Sequence, residues 1–588
     1  MTRVLRIASF LLIVSACHSS QSPKRLSIDI TPGTATIDIG GKQKFKATVT
    51  NGSDSDISWS LSGDGCANNA CGWIDGSGMY SAPDDPPNPP TVTVTATAQA
   101  GDTKSASASV TITALTNTGF SGRYALLFNG FEADDVAVAI SGSISSDGNG
   151  RITGGVLDAN RTVGVQNIPV TGGSYSFGAD ARGRMVLNTP QGALAFRFAM
   201  NAPNPPNHTG RLICFQPGDS SRITGAGVIK KQTPAAFSLT ALSGDFATGM
   251  LGEIAARTPV GVAGRFTLNG PLVGSGFADI NWTGTPFAAT PIAGNFVSID
   301  GTTGRGRARL SFPNSFGDLD FAFYVVSASE SFFISTSPRS DSVPLLSGPM
   351  LKQTDRPFTA SSLAGPLVFN ATGLTAAGSD VTIGRLDASA SSGTIAGNLD
   401  HNGAGVISAN VAFAGEYVVA ADGRGALTMR DGATTTRYAL YMVSRNSAFL
   451  LQSESIETAS GWIEPQSGAP FSNTSFLGNY VVGTITPAEC GCTSTSGVVT
   501  LNGADGTFLG ARDKSKPDGL IPRDLWAGTF DVPPGTSGRG FLTTVLPSSE
   551  SSVLYAVSPN KVLLINADSG FSESAVTVLE NTRTAVER

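Results

Sequence analysis

Asp158, Asp279, Asp400 and Asp513 recur along this chain at intervals of 121, 121 and 113 residues. A Gly-x-aromatic element keeps the same step, in Gly173 with Tyr175, Gly294 with Phe296, Gly415 with Tyr417 and Gly528 with Phe530. A third anchor is the glycine at 122, 244, 365 and 478, followed two residues on by Tyr124, Phe246, Leu367 and Tyr480. Lys231 and Gln232 are echoed by Lys352 and Gln353, and Phe237, Phe358 and Phe471 close three of the copies. Several independent anchors sharing one period mean four tandem copies of a single module.

The 588 residues exceed what one core organises, so several domains are expected. The chain holds 70 glycines, and only 14% of its residues are charged, against about 25% in an average globular protein. That balance suits short strands joined by tight turns. A net charge of −6 without basic runs excludes a nucleic-acid partner, because phosphate neutralisation needs clustered Lys and Arg.

From Gly119 onward no amphipathic helix pattern is found. The first copy reads as strands over Arg123 to Phe128, Val136 to Ile144, Ile152 to Leu157, Gly173 to Phe177, Arg184 to Leu187, Ala193 to Ala199, Arg211 to Phe215 and Ile223 to Lys230. Asp147 to Gly150 and Asp180 to Gly183 are hairpin turns. About eight antiparallel strands per copy predict an up-and-down barrel or a curled meander. The modules are placed at 118–236, 240–357, 361–470 and 474–580. Before them, 26–115 alternates apolar and polar residues in about seven short runs, which predicts a β-sandwich. The chain is therefore expected to be all-β.

Arg3 and Arg6 precede an apolar stretch, Ile7 to Val14, too short to span a bilayer. The run Val14, Ser15, Ala16, Cys17 resembles a bacterial lipobox, which implies a signal peptide over 1–17, an acylated Cys17 and a tether over 18–25. His18 after that Cys, by resemblance to Gram-negative sorting, implies a lipid anchor in the outer membrane, facing the periplasm or the cell surface. Thr31, Pro32, Gly40, Gly41, Phe45, Trp59, Gly78, Met79, Tyr80 and the Ala106 to Thr113 run resemble a bacterial Ig-like domain of the group-2 type. The Ser-Gly-x-Tyr start (Ser121 to Tyr124), the Asp-Gly-Asn-Gly hairpin, the Asp-x-Asn element and the Gly-Arg-Gly hairpin resemble the Gly-rich repeats of predicted acidobacterial surface lipoproteins. That resemblance implies architecture and location but no activity.

Asp158 with Asn160, Asp279 with Asn281, and Asp400 with Asn402 are the best-registered polar positions, and Asp513 has Ser515 in place of Asn. They read either as a ligand or Ca²⁺ site in each module or as Asx turns at strand ends. The turn is preferred, since a cation takes six to eight oxygens and the motif supplies two. The Gly-Arg-Gly elements at 304–306, 423–425 and 538–540 read as hairpins, with an Arg available to an anionic ligand as the second reading. Recurrent aromatics read as core, or as the lining of a small cavity in each barrel. Cys66 and Cys71 are expected to form a disulfide. Cys214 is expected to be a buried thiol, and Cys490 and Cys492 a disulfide or two thiols, with no metal. Three histidines without a nucleophile pattern give no catalytic residue, and no cofactor is expected. The expected role is a lipid-anchored, non-enzymatic surface protein with a structural, adhesive or binding function toward a glycan or surface protein. Small apolar ligands inside the barrels are the alternative, and a carbohydrate-active enzyme is the less favoured one.

Overall fold

The computed structural model describes residues 26–582, apart from 52–56, 67–69, 84–86, 88, 99–103, 114–119, 133–134, 179, 202–207, 215–222, 283–284, 376, 433, 454–457, 486–491 and 572–573. Cys17, His18 and Cys490 lie outside the described residues.

The N-terminal unit ends at Thr113, and its described residues form nine short strands in three sheets. Ser27–Thr31 pairs with Lys46–Thr50 in one, and Thr91–Ala98 lies between Lys104–Thr113 and Ile57–Ser62 in another. Ile28, Ala47, Val49 and Ala96 pack between these two sheets with Trp59 beside them. Cys66 and Cys71 are joined by a disulfide, and the buried Tyr80 hydroxyl donates to the Cys71 carbonyl at 2.8 Å.

The second unit consists of four closed eight-stranded antiparallel barrels. In module 1 the strands Ser121–Phe131, Ala137–Asp147, Arg151–Arg161, Gly172–Phe177, Arg182–Thr189, Gly192–Met200, Thr209–Cys214 and Thr224–Lys231 each pair with the next. The last returns to the first, with Phe128 opposite Gly227, and the barrel is closed. An additional strand, Gly164–Val170, pairs with the distal half of Arg151–Arg161. Module 2 repeats this with Thr285–Pro291 and Ala293–Ile299, whereas modules 3 and 4 join the two pieces into Val406–Val419 and Gly519–Asp531.

The Gly-x-aromatic anchors explain how the strands close. A Cβ on Gly173, Gly294, Gly415 or Gly528 would collide with the carbonyl oxygen of Val186, Arg309, Thr428 or Thr543 on the adjoining strand. Only glycine allows that approach at the barrel bend. The aromatic two residues later, Tyr175, Phe296, Tyr417 or Phe530, is buried in the barrel core.

Successive barrels pack against each other through outward-facing residues. Ala125 and Leu127 of module 1 meet Tyr324, Val326 and Phe332 of module 2, and Ala247 and Ala263 of module 2 meet Ala439, Tyr441 and Phe449 of module 3. Val368, Val381 and Ile383 of module 3 meet Val553, Tyr555 and Leu563 of module 4. Module 4 then returns to module 1: Ser496 Oγ donates to the Arg211 carbonyl at 2.8 Å, and Arg211 pairs with Glu580 at 2.8 Å. The four barrels thus form a closed head-to-tail ring in which the same faces meet at every seam. Tandem repetition here builds a ring rather than an extended string.

Candidate functional site

The registered aspartates lie at the seams. Asp158 accepts from Arg305 Nε and Nη2 at 2.6 and 2.8 Å and from the Tyr324 hydroxyl at 2.6 Å, both from module 2. Asp279 receives Arg424 (2.8 and 2.8 Å) and Tyr441 (2.6 Å) from module 3. Asp400 receives Arg539 (2.7 and 2.7 Å) and Tyr555 (2.7 Å) from module 4. The ring closes with Asp513 of module 4 accepting from Arg182 Nη1 of module 1 at 3.4 Å. The companion asparagines also cross the seams: Asn160, Asn281 and Asn402 donate to the carbonyls of Ser335, Gln452 and Asn566 at 3.1, 2.8 and 3.1 Å. Gln232, Gln353 and Gln466 add bonds to the Val325, Met442 and Ala556 carbonyls of the following module.

The cation reading of the Asp-x-Asn element is therefore corrected, and the turn reading holds only at Asn402, whose Oδ1 accepts the Gly405 N–H at 2.9 Å just past the end of Thr394–Gly403. The aspartates sit inside strands, not at turns, because they are needed where one barrel wall meets the next. Their oxygens are occupied by guanidinium, phenol and amide donors, which leaves no ligand set for a cation. The Gly-Arg-Gly hairpins do turn with positive φ at Gly304, Gly423 and Gly538. Their arginines, however, bind the neighbouring module's aspartate rather than an external anion. The hydrogen bonds to Asp158 and Asp279 hold the Arg305 and Arg424 guanidiniums above their ordinary pKa. Burial, and then the carboxylate charge, pushes the Tyr324 and Tyr441 phenols well above theirs.

The barrel interiors differ from one another. Modules 1 and 2 carry large apolar interior clusters that include Phe128, Phe196 and Phe198, and Phe266, Phe296, Phe321 and Phe333. Module 3 contains a cavity of about 450 Å³. Across its wall Thr382 is opposite His401, and His401 is opposite Ser408. His401 Nε2 is paired with Asp380 Oδ1. Strand register places Val138, Ile140 and Ala159 of module 1, and Val260, Val262 and Ile280 of module 2, where module 3 has Asp380, Thr382 and His401. Thr436 likewise stands where modules 1 and 2 have Leu194 and Leu319. Asp431 also lines the cavity, and its Oδ1 is buried without a hydrogen-bond donor among the described residues.

Module 4 places charge at the same level but neutralises it internally. Lys514, in the register position of His401, pairs with Asp524 at 2.8 Å, Arg512 bonds the same carboxylate at 3.0 Å, and the Arg512 guanidinium lies over Trp526. Burial, followed by the Arg512 charge, lowers the Lys514 pKa. Its apolar end retains a void of only about 10 Å³.

Of the other residues singled out from sequence, Cys214 is buried with Sγ 3.8 Å from the Ala195 carbonyl, and Cys492 Sγ is 3.5 Å from the Ser574 carbonyl. His208 is a core residue in contact with the Tyr124 hydroxyl at 3.1 Å, and burial lowers its pKa. In sequence His401 is only the middle residue of the Asp400 to Asn402 motif, which does not mark it as a cavity residue. The available signal was the substitution pattern between copies.

No family model and no curated protein matches the sequence. Among solved structures it is similar to a transferrin binding protein B variant from Haemophilus parasuis Hp5, with 10% identity, a TM-score of 0.17 and coverage of 64% of this chain and 82% of that one. It is also similar to a protein of unknown function from the DUF3598 family of Nostoc punctiforme (10% identity, TM-score 0.15, 40% and 97% coverage). A third match is CghA bound to Sch210972 (10% identity, TM-score 0.14, 78% and 88% coverage). Scores of this size do not establish a shared fold.

Proposed function

We propose that this is a non-enzymatic binding protein whose third barrel holds a small polar ligand while the other three barrels provide the rigid ring around it. The observation that carries the reading is the exchange of Val, Ile and Ala for Asp380, Thr382 and His401 at interior positions of one module. Apolar interiors are the favourable default for a small barrel, and buried polar groups are costly without partners. A cavity of about 450 Å³ is in the range of small-molecule sites. Two carboxylates, a histidine and several hydroxyls suit a ligand rich in hydrogen-bond donors, such as a small amine or amino alcohol. The polar lining argues against the apolar-ligand alternative in this barrel.

The test restores the module-1 residues in module 3. A triple variant, Asp380→Val, Thr382→Ile and His401→Ala, uses side chains that already pack in module 1, so it should fold. Calorimetry against a panel of small amines, amino acids and sugars should show saturable binding to the native chain that the triple variant loses. Equal binding by both proteins, or none by the native chain, would refute the proposal.

The lipobox-like run ending at Cys17 supports an outer-membrane lipid anchor, since two acyl chains hold a protein stably at a bilayer. Among the described residues no helix is long and apolar enough to cross a membrane. Replacing Cys17 by Ser should release the protein from the membrane fraction, and retention there would defeat the anchor.

A further inference from the structure

The four modules meet around a second cavity, of about 250 Å³, which belongs to no single barrel. It follows the internal symmetry. Two outward positions on the first strand of each module bring Leu127 and Asn129, Gly249 and Leu251, and Asn370 and Thr372 to its wall, and module 4 contributes Ile485 at the second position. Glycine at the first position in module 2 leaves room for the Phe449 ring, because a Cβ on Gly249 would overlap it.

The chemistry of this wall is specific. Leu127, Leu251, Phe449, Trp462, Leu563 and Val578 make it largely apolar. The charged residues at its rim are already neutralised, Lys561 by Glu464 at 2.8 Å and Arg211 by Glu580 at 2.8 Å. Asn370 is 5% exposed, and its side-chain amide has no hydrogen-bond partner among the described residues. An amide that faces the cavity without a protein partner leaves its donor and acceptor open to a ligand's hydroxyl or carbonyl.

We infer that this junction is a binding site for a small, neutral, amphipathic molecule, with a ring-sized apolar body and one hydrogen-bonding head directed at Asn370. The volume is that of about eight waters, which corresponds to a single aromatic ring with a substituent. A charged head is disfavoured because every rim charge has its counter-ion within the protein. A ligand here touches all four modules and so ties the ring at its centre. The site is independent of the module-3 cavity.

The probe is 4-iodophenol, used with the full-length mature chain carrying Cys17→Ser. Iodine quenches tryptophan emission, so saturable quenching is expected with Trp462 as its main source, and anomalous diffraction should place the iodine at the four-module junction. Leu251→Trp fills the cavity and should abolish binding measured by calorimetry. Asn370→Leu should weaken it about tenfold, as expected for loss of one hydrogen bond to a buried group. Trp462→Phe should remove most of the quenching while calorimetric binding persists. The module-3 triple variant should bind the probe unchanged, which separates failure of this inference from failure of the module-3 reading. Iodine found elsewhere, absence of saturable binding to the native chain, or undiminished affinity in a folded Leu251→Trp variant would overturn it.

Discussion

At the scale of the residue, one aspartate per module couples two barrels. Asp279 lies 145 residues from Arg424 and 162 from Tyr441 in sequence, yet holds both with charge-assisted bonds. Removing it leaves a guanidinium and a buried phenol without their acceptor. Asp279→Ala is therefore expected to destabilise the protein by about 3 kcal/mol, whereas Tyr441→Phe should cost about 1 kcal/mol. A double-mutant cycle in denaturant should return a coupling above about 0.5 kcal/mol, and additivity would show that the two groups act separately. Glu580 gives a pH-dependent counterpart at the closing seam. Burial alone would raise its pKa, but the Arg211 and Lys561 charges outweigh that and lower it below 4.5. A carboxyl whose folded pKa is depressed contributes stability above its unfolded pKa and loses it as pH falls through the folded value. Glu580→Gln should therefore lower stability at pH 7 by about 0.5–1 kcal/mol, as for a partly exposed pair. The difference from the native protein should shrink between pH 7 and an acid pH low enough to protonate the carboxyl in the folded chain. A constant difference in melting temperature at both pH values would exclude this linkage.

At the scale of the element, the aspartates also explain local backbone irregularities. Asp279, Asp400 and Asp513 each accept the backbone N–H of the residue ten positions later, Ala289, Asn410 and Arg523, at 3.1, 2.9 and 2.7 Å. Those three residues have positive φ, and the strand pairing shifts register beside each aspartate. Module 1 reaches the same end differently: its register is unbroken, and the Asn167 side chain donates to Asp158 at 3.0 Å. Ala289 carries the left-handed cost without the polar side chain that eases it, so Ala289→Gly should stabilise by about 1 kcal/mol in thermal unfolding. Loss of stability on that change would mean the alanine methyl packs usefully there. The eight barrel strands were legible from alternation and from Asp-Gly-Asn-Gly turns, because those signals are local. Gly164–Val170 was not, since Pro169 argues against a central strand. It is tolerated because this strand hangs at an edge. The Asp-x-Asn elements were legible as a repeat but not as couplers, because an outward-facing polar pair looks the same whether water or another barrel covers it.

At the scale of the whole ring, the four seams use equivalent positions but not equivalent chemistry. Three have a tyrosine on the aspartate, whereas strand register places Ala199 of module 1 where Tyr324, Tyr441 and Tyr555 stand. Arg197 of module 1 likewise occupies the position of Ala322, Ala439 and Val553. The seam between modules 4 and 1 thus relies on Arg182 with Asp513, Arg211 with Glu580, and Ser496, where the others bury apolar side chains. It is also the seam with no short peptide linker across it, so its partners are held together only by closure of the whole ring. Paired charges resist salt less well than apolar contacts, and the linkers give the other three a high effective concentration. This seam should therefore be the first to open. Arg182→Ala removes a guanidinium that reaches Asp513 and should accelerate amide hydrogen exchange in Gly192–Met200, Thr209–Cys214 and Ser494–Asn502. The strands Gly317–Ser327 and Thr434–Ser444, which carry Tyr324 and Tyr441 at other seams, should retain native protection. Raising salt on the native chain should produce the same regional pattern in milder form. Uniform loss of protection in all four modules would show instead that the ring opens as one cooperative unit, with closure as strong as any linked seam.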